Sequence, residues 1–418
     1  MRRMLIVGAG QAGLQLALGL RAEGFDVTLM SARTPDDIRH GWPLSTQVMF
    51  EPALALERIH GLHLWESRTP PIAGLQVTVR QPGQPATLRI RAPLSAPGRS
   101  TDQRLKMAGW LELCEDRGIT VLHQAVGADD LAQLTRPGRY DMTVVAAGKS
   151  DLAGLFDRDP ARSPYTAPQR ALAAVYVHGL KPDPDWPDGH VANHTIAGLG
   201  ELFLIPALTV AGPCHILFWT AVPGGALDQW SNEPGRLDPT VHLDRTLALI
   251  RTHLPEVYQQ RCTTVKLADD RASLHGRYTP TVRRPVATLP GGGLALGIGD
   301  LLIANDPLTG QGANTAARAA AYYLRAIVDR GDRPLDGAWM TDTFENFWAA
   351  HGRPATEWTN LMLRPTPHVE KLLHAAANDP ATARRFANGF ADPAGLDSWF
   401  TNPAAAARYL APLQMTCQ

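Results

Sequence analysis

Three glycines close to the amino terminus could bind a phosphate group. Gly8, Gly10 and Gly13 form a Gly-x-Gly-x-x-Gly pattern directly after the apolar run 4–7. Such glycines make a tight turn and let backbone N–H groups approach a pyrophosphate at the amino terminus of the following helix. Because the pattern stands between a strand and a helix, it favours a bound dinucleotide over an empty turn.

One group that usually accompanies this pattern is missing. A carboxylate about 20 residues further on, at the end of the second strand, commonly binds the ribose of the dinucleotide. Here these positions are Met30, Ser31, Ala32 and Arg33. Arg33 could contact the adenosine half of the ligand instead, or it could be a solvated surface arginine.

A second group of small and acidic residues lies about 290 residues further along the chain. It reads Gly297-Ile298-Gly299-Asp300 and then Asp306-Pro307-Leu308-Thr309-Gly310-Gln311-Gly312-Ala313-Asn314. Gly310 and Gly312 permit close backbone approach, and a helix starting near Gln311 would point its positive end at a bound group. Asp300 could alternatively be an ordinary turn or capping aspartate.

Together the two motifs resemble those of the flavoprotein monooxygenases of the aromatic-hydroxylase type. The resemblance implies a Rossmann-like FAD-binding domain, with Asp300 on the ribityl chain of FAD and the loop 307–314 against the flavin ring. It also implies that Arg104 contacts the adenosine or phosphate half and that Val126 offers backbone to the adenine, although Arg104 could be an exposed helix arginine. Gly148, at the end of a strand, could contact the nucleotide or only close a turn. The predicted cofactor-binding residues are Gly8, Gly10, Gly13, Arg33, Arg104, Val126, Gly148, Asp300, Pro307, Gly310, Gln311, Gly312, Ala313 and Asn314.

The resemblance covers nearly the whole chain, from Gly8 to Glu357-Trp358-Thr359-Asn360, and is to the oxygenase component of two-component styrene and indole monooxygenases. It implies that FADH2 comes from a separate NADH-dependent flavin reductase and forms a flavin C4a-hydroperoxide with O2. The oxygen then passes to an alkene, or to the C2–C3 bond of indole to give indoxyl and indigo. We therefore expect no catalytic acid or base, and the family suggests a homodimer. The chain has no second glycine fingerprint for a nicotinamide nucleotide, but single-component hydroxylases also lack one.

Six positions bear on the choice between the styrene and indole types. Ser45, Gln47 and Met49 resemble the indole type, where the styrene type has Asn, Val and His. Ile72, Leu75 and Gly98 stand where the styrene type has Tyr, His and Ser. The resemblance therefore favours indole, with styrene-like alkenes as side substrates.

A physical reason for this preference can be offered for Gln47. Its carbonyl could accept the indole N–H, a group that styrene lacks, while Met49, Ile72 and Leu75 form an adaptable apolar wall. Alternatively, Gln47 could face solvent or bind the backbone.

The overall composition limits the class of partner. Forty basic and forty acidic residues cancel, so nothing indicates binding to nucleic acid or to an anionic membrane. Hydrophobic residues make up 44% and charged residues 19%, which indicates a folded globular protein of about two to three domains. No metal site is expected, because the pairs His60-x-x-His63 and His190-x-x-x-His194 have no cysteine or carboxylate partner in an evident site. Four cysteines lie far apart, which favours the reducing cytoplasm: Cys114, Cys214, Cys262 and Cys417.

The elements that position these residues follow from the hydrophobic pattern, which predicts an α/β fold. Buried strands are predicted at 4–7, 25–30, 120–123, 142–146 and 294–298. We assign 1–42, 100–165 and 286–335 to a discontinuous FAD-binding domain. The largely β-like segments 43–99 and 166–285 predict an inserted antiparallel substrate domain, in which proline and glycine divide 202–222 into two strands and exclude a membrane span. An alanine-rich helix follows at 312–328, and 336–418 is predicted to be a helical region.

Several other functions stay open at this point. A styrene monooxygenase proper would differ in its pocket, and a single-component aromatic hydroxylase on the same fold would be reduced directly by NAD(P)H. A flavin halogenase is disfavoured because the Trp-x-Trp-x-Ile-Pro stretch of that family is absent. A non-catalytic binding protein could keep the first glycines, but it has no evident reason to keep both Asp300 and the loop 307–314.

Overall fold

A computed structural model describes residues 1–148, 151–186, 189–233 and 235–415. The strands are Arg3–Val7 (β1), Asp26–Ser31 (β2), Ile72–Arg80 (β3), Ala86–Gly98 (β4), Thr120–His123 (β5), Met142–Val145 (β6), Ala171–His178 (β7), His190–Ile196 (β8), Gly200–Thr209 (β9), Gly212–Ala221 (β10), Lys266–Leu267 (β11), Ser273–Gly276 (β12), Thr281–Val282 (β13), Val286–Thr288 (β14), Leu294–Gly297 (β15) and Ile303–Ala304 (β16). The helices are Gln11–Ala22 (α1), Pro35–Arg39 (α2), Glu51–Ile59 (α3), Gln103–Asp116 (α4), Ala128–Leu134 (α5), Pro239–His253 (α6), Pro255–Val257 (α7), Gly312–Arg330 (α8), Gly337–Phe347 (α9), Arg353–Leu363 (α10), Pro367–Asn378 (α11), Pro380–Gly389 (α12) and Pro403–Met415 (α13).

The first sheet has the strand order β14-β15-β6-β1-β2-β5. Its pairings are parallel except that β14 runs antiparallel to β15. Val7 of β1 pairs with Met30 on one side and with Val145 on the other. The carboxyl ends of three strands therefore meet at one edge, which is where ligands bind in open α/β sheets. The five strands predicted for this sheet are confirmed.

The second sheet has the order β11-β7-β10-β9-β8-β3-β4, and β12 also pairs with β7. The predicted division of 202–222 into two strands is confirmed, because β9 and β10 form an antiparallel hairpin. The expectation of a wholly antiparallel sheet is wrong in one place, since β3 and β8 are parallel. Between β3 and β8 the chain contributes β5 and β6 to the first sheet. Strand β8 then enters the second sheet in the same direction as β3.

The two faces of the second sheet are covered by different helices. Trp219 and other side chains of one face pack against Leu243 and Ile250 of α6. The opposite face forms an apolar cluster with the carboxyl-terminal helices, which supply Trp358 and Phe386. The predicted helical region thus has a specific place, on the face of the sheet that carries the predicted pocket residues. Among the described residues, no helix combines the length and the apolar character needed to cross a bilayer.

The segment 43–99 contains a helix, α3, where the proline-rich sequence indicated only β structure. Pro52 stands in the first turn of α3, where its missing N–H costs no hydrogen bond. Ala53, Leu54 and Glu57 are buried at the three-to-four-residue spacing of a helix face. The amphipathic pattern spans only nine residues, too few to outweigh the β-like flanks.

Candidate functional site

The glycine fingerprint forms a tight turn between β1 and α1. Gly8 has φ +116° and its N–H donates to the Met30 carbonyl at 2.9 Å. A Cβ on Gly13 would lie only 2.1 Å from the Gly8 carbonyl oxygen, so the turn and the helix touch through bare backbone. Gly10 is different, because no atom lies within 4 Å of the place its Cβ would take. Gly10 is the N-cap of α1 and gives it no side-chain cap, so the first N–H groups of the helix meet open space.

The second motif lies against the first, as the sequence predicts for a shared ligand. A Cβ on Gly299 would approach the Ala12 methyl group to 3.1 Å. A Cβ on Gly148 would lie 2.8 Å from the Leu301 nitrogen, and one on Gly312 would lie 3.9 Å from Oδ1 of Asp300. Asp300 is exposed, and the residues beside it at the end of β6 and at the start of α8, Gly148 and Gly312, have no side chains. An acceptor carboxylate beside free helical N–H groups fits the ribityl hydroxyls and the pyrophosphate of FAD.

The loop 307–314 turns through Gly310, whose φ is +64°. Gln311 follows and is fully buried; its Nε2 donates to the carbonyls of Thr309 and Phe390, both at 3.0 Å. Its Oε1 is buried and has no hydrogen-bond partner in the protein. The amide is thus held in one orientation, and its Oε1 is enclosed at the amino end of α8 without a protein donor. Pro307 and Ala313 flank this turn.

Asn314 has a different role from the predicted one. Its Oδ1 accepts the Phe50 N–H at 2.9 Å, and its Nδ2 donates to the carbonyls of Val48 and Gly310, both at 2.8 Å. The side chain is fully occupied by the protein, so the expectation that it contacts the cofactor is corrected. Asn314 clamps the segment 48–50 to the start of α8.

Asp306 begins the loop and is 3% exposed. Its Oδ1 accepts the Leu308 N–H at 3.1 Å. Burial raises the pKa of this carboxyl to about 7, and Arg170, which is itself bonded to Glu201, offsets only part of that effect. Below neutral pH the loop therefore contains a protonated carboxyl group.

Arg104 does not lie where the resemblance suggested. It is 3% exposed, and its guanidinium donates to Asp102, to Asp269 and to the Thr209 hydroxyl at 2.8 to 3.0 Å. These acceptors belong to α4 and the substrate side of the molecule, so we correct the predicted cofactor contact. Arg104 instead joins the start of α4 to Thr209 of β9 in the second sheet. By contrast, Arg33 is exposed just beyond β2, and Val126 lies between β5 and α5 at the same edge of the first sheet.

The predicted pocket residues fall into two groups. Ile72 and Leu75 belong to the apolar cluster beneath the carboxyl-terminal helices. Residues three apart normally point to opposite faces of a strand, but the register shift between Ile72 and Gly74 lets Ile72 and Leu75 share one face. Gly98 pairs with Ile72, and a Cβ there would lie 2.9 Å from the Met49 carbonyl oxygen. The Met49 side chain instead joins a separate cluster with Leu54 and Ala317. The extended segment 45–50 explains this split, because alternate side chains point to opposite sides.

Gln47 and Met49 line a cavity of about 20 Å³, room for about one water molecule. Gln47 is 4% exposed, and its Nε2 donates to the Thr101 carbonyl at 2.7 Å. Its Oε1 is buried without a hydrogen-bond partner in the protein. Gln47 therefore binds backbone with one end, as one alternative required, and keeps a free acceptor at the other. Ser45 contributes its carbonyl, which accepts the Tyr176 hydroxyl at 2.9 Å.

A buried ion pair beneath this cavity was not predicted. Lys106 of α4 is bonded to Glu57 of α3, and its Nζ also lies 2.9 Å from the Met49 sulfur. Glu57 accepts the Gln11 amide at 2.9 Å, and Gln11 lies within the glycine fingerprint. Burial lowers the pKa of Lys106, and the Glu57 carboxylate offsets part of this effect. A prediction of a helix at 51–59 would have revealed this ion pair, because Glu57 lies on the buried face of α3.

Comparison with known proteins identifies the family. Residues 148–260 match a family model described as "Styrene monooxygenase A putative substrate binding domain". The chain is 30% identical over 393 residues to styrene monooxygenase StyA of Pseudomonas fluorescens and to that of another Pseudomonas, covering 94% of this chain and 92% of each relative. The chain belongs to the styrene monooxygenase family. It is a flavin-dependent monooxygenase that uses FAD and O2, which confirms the predicted enzyme class and cofactors.

Solved structures of other flavoproteins share the fold of this styrene monooxygenase relative. A flavin-dependent brominase has a TM-score of 0.61 at 15% identity and covers 92% of this chain and 98% of its own. A flavoprotein/dehydrogenase from Cytophaga hutchinsonii has a TM-score of 0.66 at 12% identity, covering 93% and 92%. The tetrameric form of 2-methyl-3-hydroxypyridine-5-carboxylic acid oxygenase has 0.59 at 16%, covering 92% and 96%. At these identities the likeness concerns the fold alone, and it confirms the predicted Rossmann-like flavoprotein architecture.

Proposed function

We propose that the chain epoxidises the C2–C3 bond of indole, which leads to indoxyl and indigo, and that styrene-like alkenes are secondary substrates. The observation that carries this proposal is the buried, unpartnered Oε1 of Gln47. A buried acceptor without a partner costs about 1–3 kcal/mol. The indole N–H would satisfy it whereas styrene would not, provided that the side chains around the one-water cavity move apart to admit the ring. The amide is already oriented by Thr101, so it offers an oxygen and not a nitrogen.

The apolar side chains support the same chemistry. Ile72 and Leu75 are at most 6% exposed and carry no charge, which suits a dry wall against a flat aromatic ring, and Met49 is equally buried on the Gln47 side. Gln47 and Met49 lie on one side of the segment 45–50, and the cluster with Ile72 and Leu75 lies on the other. We propose that the substrate lies against this segment and that Ser45 and Gly98 set the backbone around it.

The protein's own residues would bind and orient, and they would exclude water. FAD would be held by Gly8, Gly10, Gly13, Asp300 and the first turn of α8. When bound in its reduced form, this cofactor would activate O2, one atom of which passes to the substrate while the other leaves as water. Asn314 holds the segment 48–50 against that turn. An oxygen transfer of this kind needs no acid–base pair from the protein.

We further propose that a separate NADH-dependent flavin reductase supplies FADH2 in the cytoplasm. The absence of a second glycine fingerprint in the sequence supports this. So do the described cysteines Cys114, Cys214 and Cys262, which are buried free thiols as expected in a reducing compartment, while Cys417 lies outside the described residues.

The test measures product from indole and from styrene, separately, with NADH, FAD, catalase and an unrelated flavin reductase. We expect indigo to form faster than styrene oxide, and neither without the reductase. Gln47→Leu should lower kcat/KM for indole about tenfold while changing that for styrene less than about twofold. Gln259→Leu, on an exposed glutamine, is the matched control. Equal losses for both substrates would contradict the role of Gln47, and faster styrene epoxidation would favour the styrene activity named for the relatives.

A further inference from the structure

Two buried threonines of α10 contact the segment that leads into α8. Thr356 and Thr359 are three residues apart, so they lie on the same face of the helix. The Thr356 hydroxyl donates to Oδ1 of Asn305 at 2.9 Å, and Oγ1 of Thr359 lies 2.5 Å from Oγ1 of Thr309. The helix α10 therefore holds this segment at two points, four residues apart.

The donor in the contact between Thr309 and Thr359 follows from its surroundings. The Thr359 hydroxyl donates to the Ala355 carbonyl at 2.8 Å, one turn earlier in α10. A hydroxyl group has a single hydrogen, so Thr359 accepts in this contact and Thr309 donates. Both threonines are at most 2% exposed. Loss of the Thr359 hydroxyl would therefore leave the Thr309 hydroxyl buried without its acceptor.

This bond stands directly before the turn into α8. Gly310 has φ +64°, and no atom lies within 4 Å of the place its Cβ would take. Nothing therefore packs against that side of the turn. Thr309, the preceding residue, is held by Thr359, and its carbonyl accepts the Gln311 amide at 3.0 Å. The helix α10 thus supplies an anchor at the entrance to the turn.

The same helix also reaches the substrate side of the molecule. The ring of Trp358, directly before Thr359, meets the Phe390 ring edge-on, with centroids 4.6 Å apart and an interplanar angle of 84°. The Phe390 ring lies 6.1 Å from that of Phe50, which belongs to the proposed substrate segment 45–50. One helix therefore contacts the turn at Gly310 and, through Phe390, the segment on which the substrate is proposed to lie.

We propose that α10 sets the position of the turn at Gly310 between flavin and substrate, with Thr359 as the positioning residue. The inference rests on the proposed placement of FAD at the start of α8. A fixed turn excludes water from the reacting groups, which suppresses side reactions. A loose turn lets FADH2 and O2 react to FAD and H2O2 without oxygenating a substrate. Thr359 thus determines how much of the O2 consumed yields product.

Thr359→Val tests the proposal, because it removes the hydroxyl and keeps the shape of the side chain. The full chain, in excess over FADH2, is mixed with O2 and with whichever of indole and styrene it oxidises faster. Product and H2O2 are measured after this single turnover, and the visible absorption of bound FAD is recorded without substrate. We expect the ratio of product to H2O2 to fall at least about fivefold, and the absorption to shift toward that of free FAD.

Three further variants isolate the bond. Thr359→Ser keeps the hydroxyl and should keep the ratio within about twofold of the natural chain. Thr309→Val removes the donor, so it should match Thr359→Val, and the double variant should be no worse than either. Thr341→Val is the matched control, because the hydroxyl of this exposed threonine donates to the Gly337 carbonyl at 2.8 Å, the same bond within a helix that Thr359 makes to Ala355. It should change neither readout.

A Thr359→Val variant that melts at a lower temperature but keeps the ratio and the flavin spectrum would show a purely structural role and overturn the proposal. Losses that add in the double variant would also overturn it, and Thr309→Val carries the test if Thr359→Val does not fold. Gly10→Ala distinguishes the two proposals. If it leaves FAD affinity unchanged, the proposed placement of the flavin fails. If it weakens FAD binding while Thr309→Val and Thr359→Val have no effect, only the role of α10 fails.

Discussion

The proposed flavin groove, formed by the turn 8–13, Gly148 and Asp300, and the proposed substrate segment 45–50 both lie against the start of α8, yet they are built in opposite ways. The groove is made of backbone, with Gly8, Gly13 and Gly148 in contacts too close for any side chain. The substrate segment is held by buried polar side chains, namely the Asn314 amide and the Lys106–Glu57 pair. Substitutions that add side-chain atoms should therefore disturb the groove. Substitutions that remove a polar side chain should disturb the segment.

The largest effect is expected at Gly13. A methyl group there would lie 2.1 Å from the Gly8 carbonyl oxygen, so Gly13→Ala must displace the turn. We expect the free energy of unfolding to fall by about 3 kcal/mol and FAD affinity to fall at least about 100-fold. Urea denaturation and flavin titration measure the two quantities.

Gly154 serves as a control for Gly13, and Gly10 separates flavin binding from stability. Both Gly154 and Gly10 have open space at the Cβ position. Gly154→Ala should change neither quantity, and Gly10→Ala should weaken FAD binding without lowering stability, because its methyl group would enter the ligand's space. A stable Gly13→Ala variant with normal flavin affinity would show that the groove is not set by backbone contact.

Lys106→Met tests the substrate segment by removal. It leaves Glu57 as a buried charge without its cation, which costs about 3–5 kcal/mol. The double variant with Glu57→Gln should recover a large part of that loss in urea denaturation, because no unpaired charge remains. If the single and double variants are equally unstable, the loss comes from packing and not from charge.

A smaller effect is expected from Asp306, which lies between the two regions. Its pKa is about 7 in the folded chain and near 3.8 when unfolded, so the folded form takes up a proton between these values. Stability from this group is thus fully present below about pH 4, is lost as the pH rises to about 7, and changes little beyond. From pH 5 to pH 7 the natural chain should lose about 2 kcal/mol relative to Asp306→Asn, measured by urea denaturation at each pH. Parallel pH profiles for the two proteins would contradict the raised pKa.

The same contrast explains how much the sequence could predict. Glycine spacing encodes backbone geometry, so the tight turn at Gly8 follows from the pattern alone. Side-chain contacts depend on distant segments, and they were harder to foresee. The sequence did not reveal α3, and it therefore did not reveal that Glu57 meets Lys106. Likewise, the sequence did not reveal that the carboxylates of Asp102 and Asp269 bind the Arg104 guanidinium.

The pocket residues show a further limit. Motif comparison brings Gln47, Met49, Ile72 and Leu75 together by residue type, but it does not indicate on which side of an extended chain each one lies. That depends on strand alternation along 45–50 and on the irregular register at Ile72. The roles of these four positions in substrate choice remain predictions for the assay with Gln47→Leu.

The parallel pairing of β6 with β15 has a consequence for synthesis of the chain on the ribosome. These strands are separated by roughly 150 residues, and the Asp300 motif follows β15 directly. The hairpins from β8 to β10 can form long before that segment has emerged, since their partners are close in sequence. The proposed flavin groove must wait until the Asp300 motif has been made. The nascent protein therefore can complete the second sheet before the proposed flavin site exists, and flavin can assist only the folding that follows.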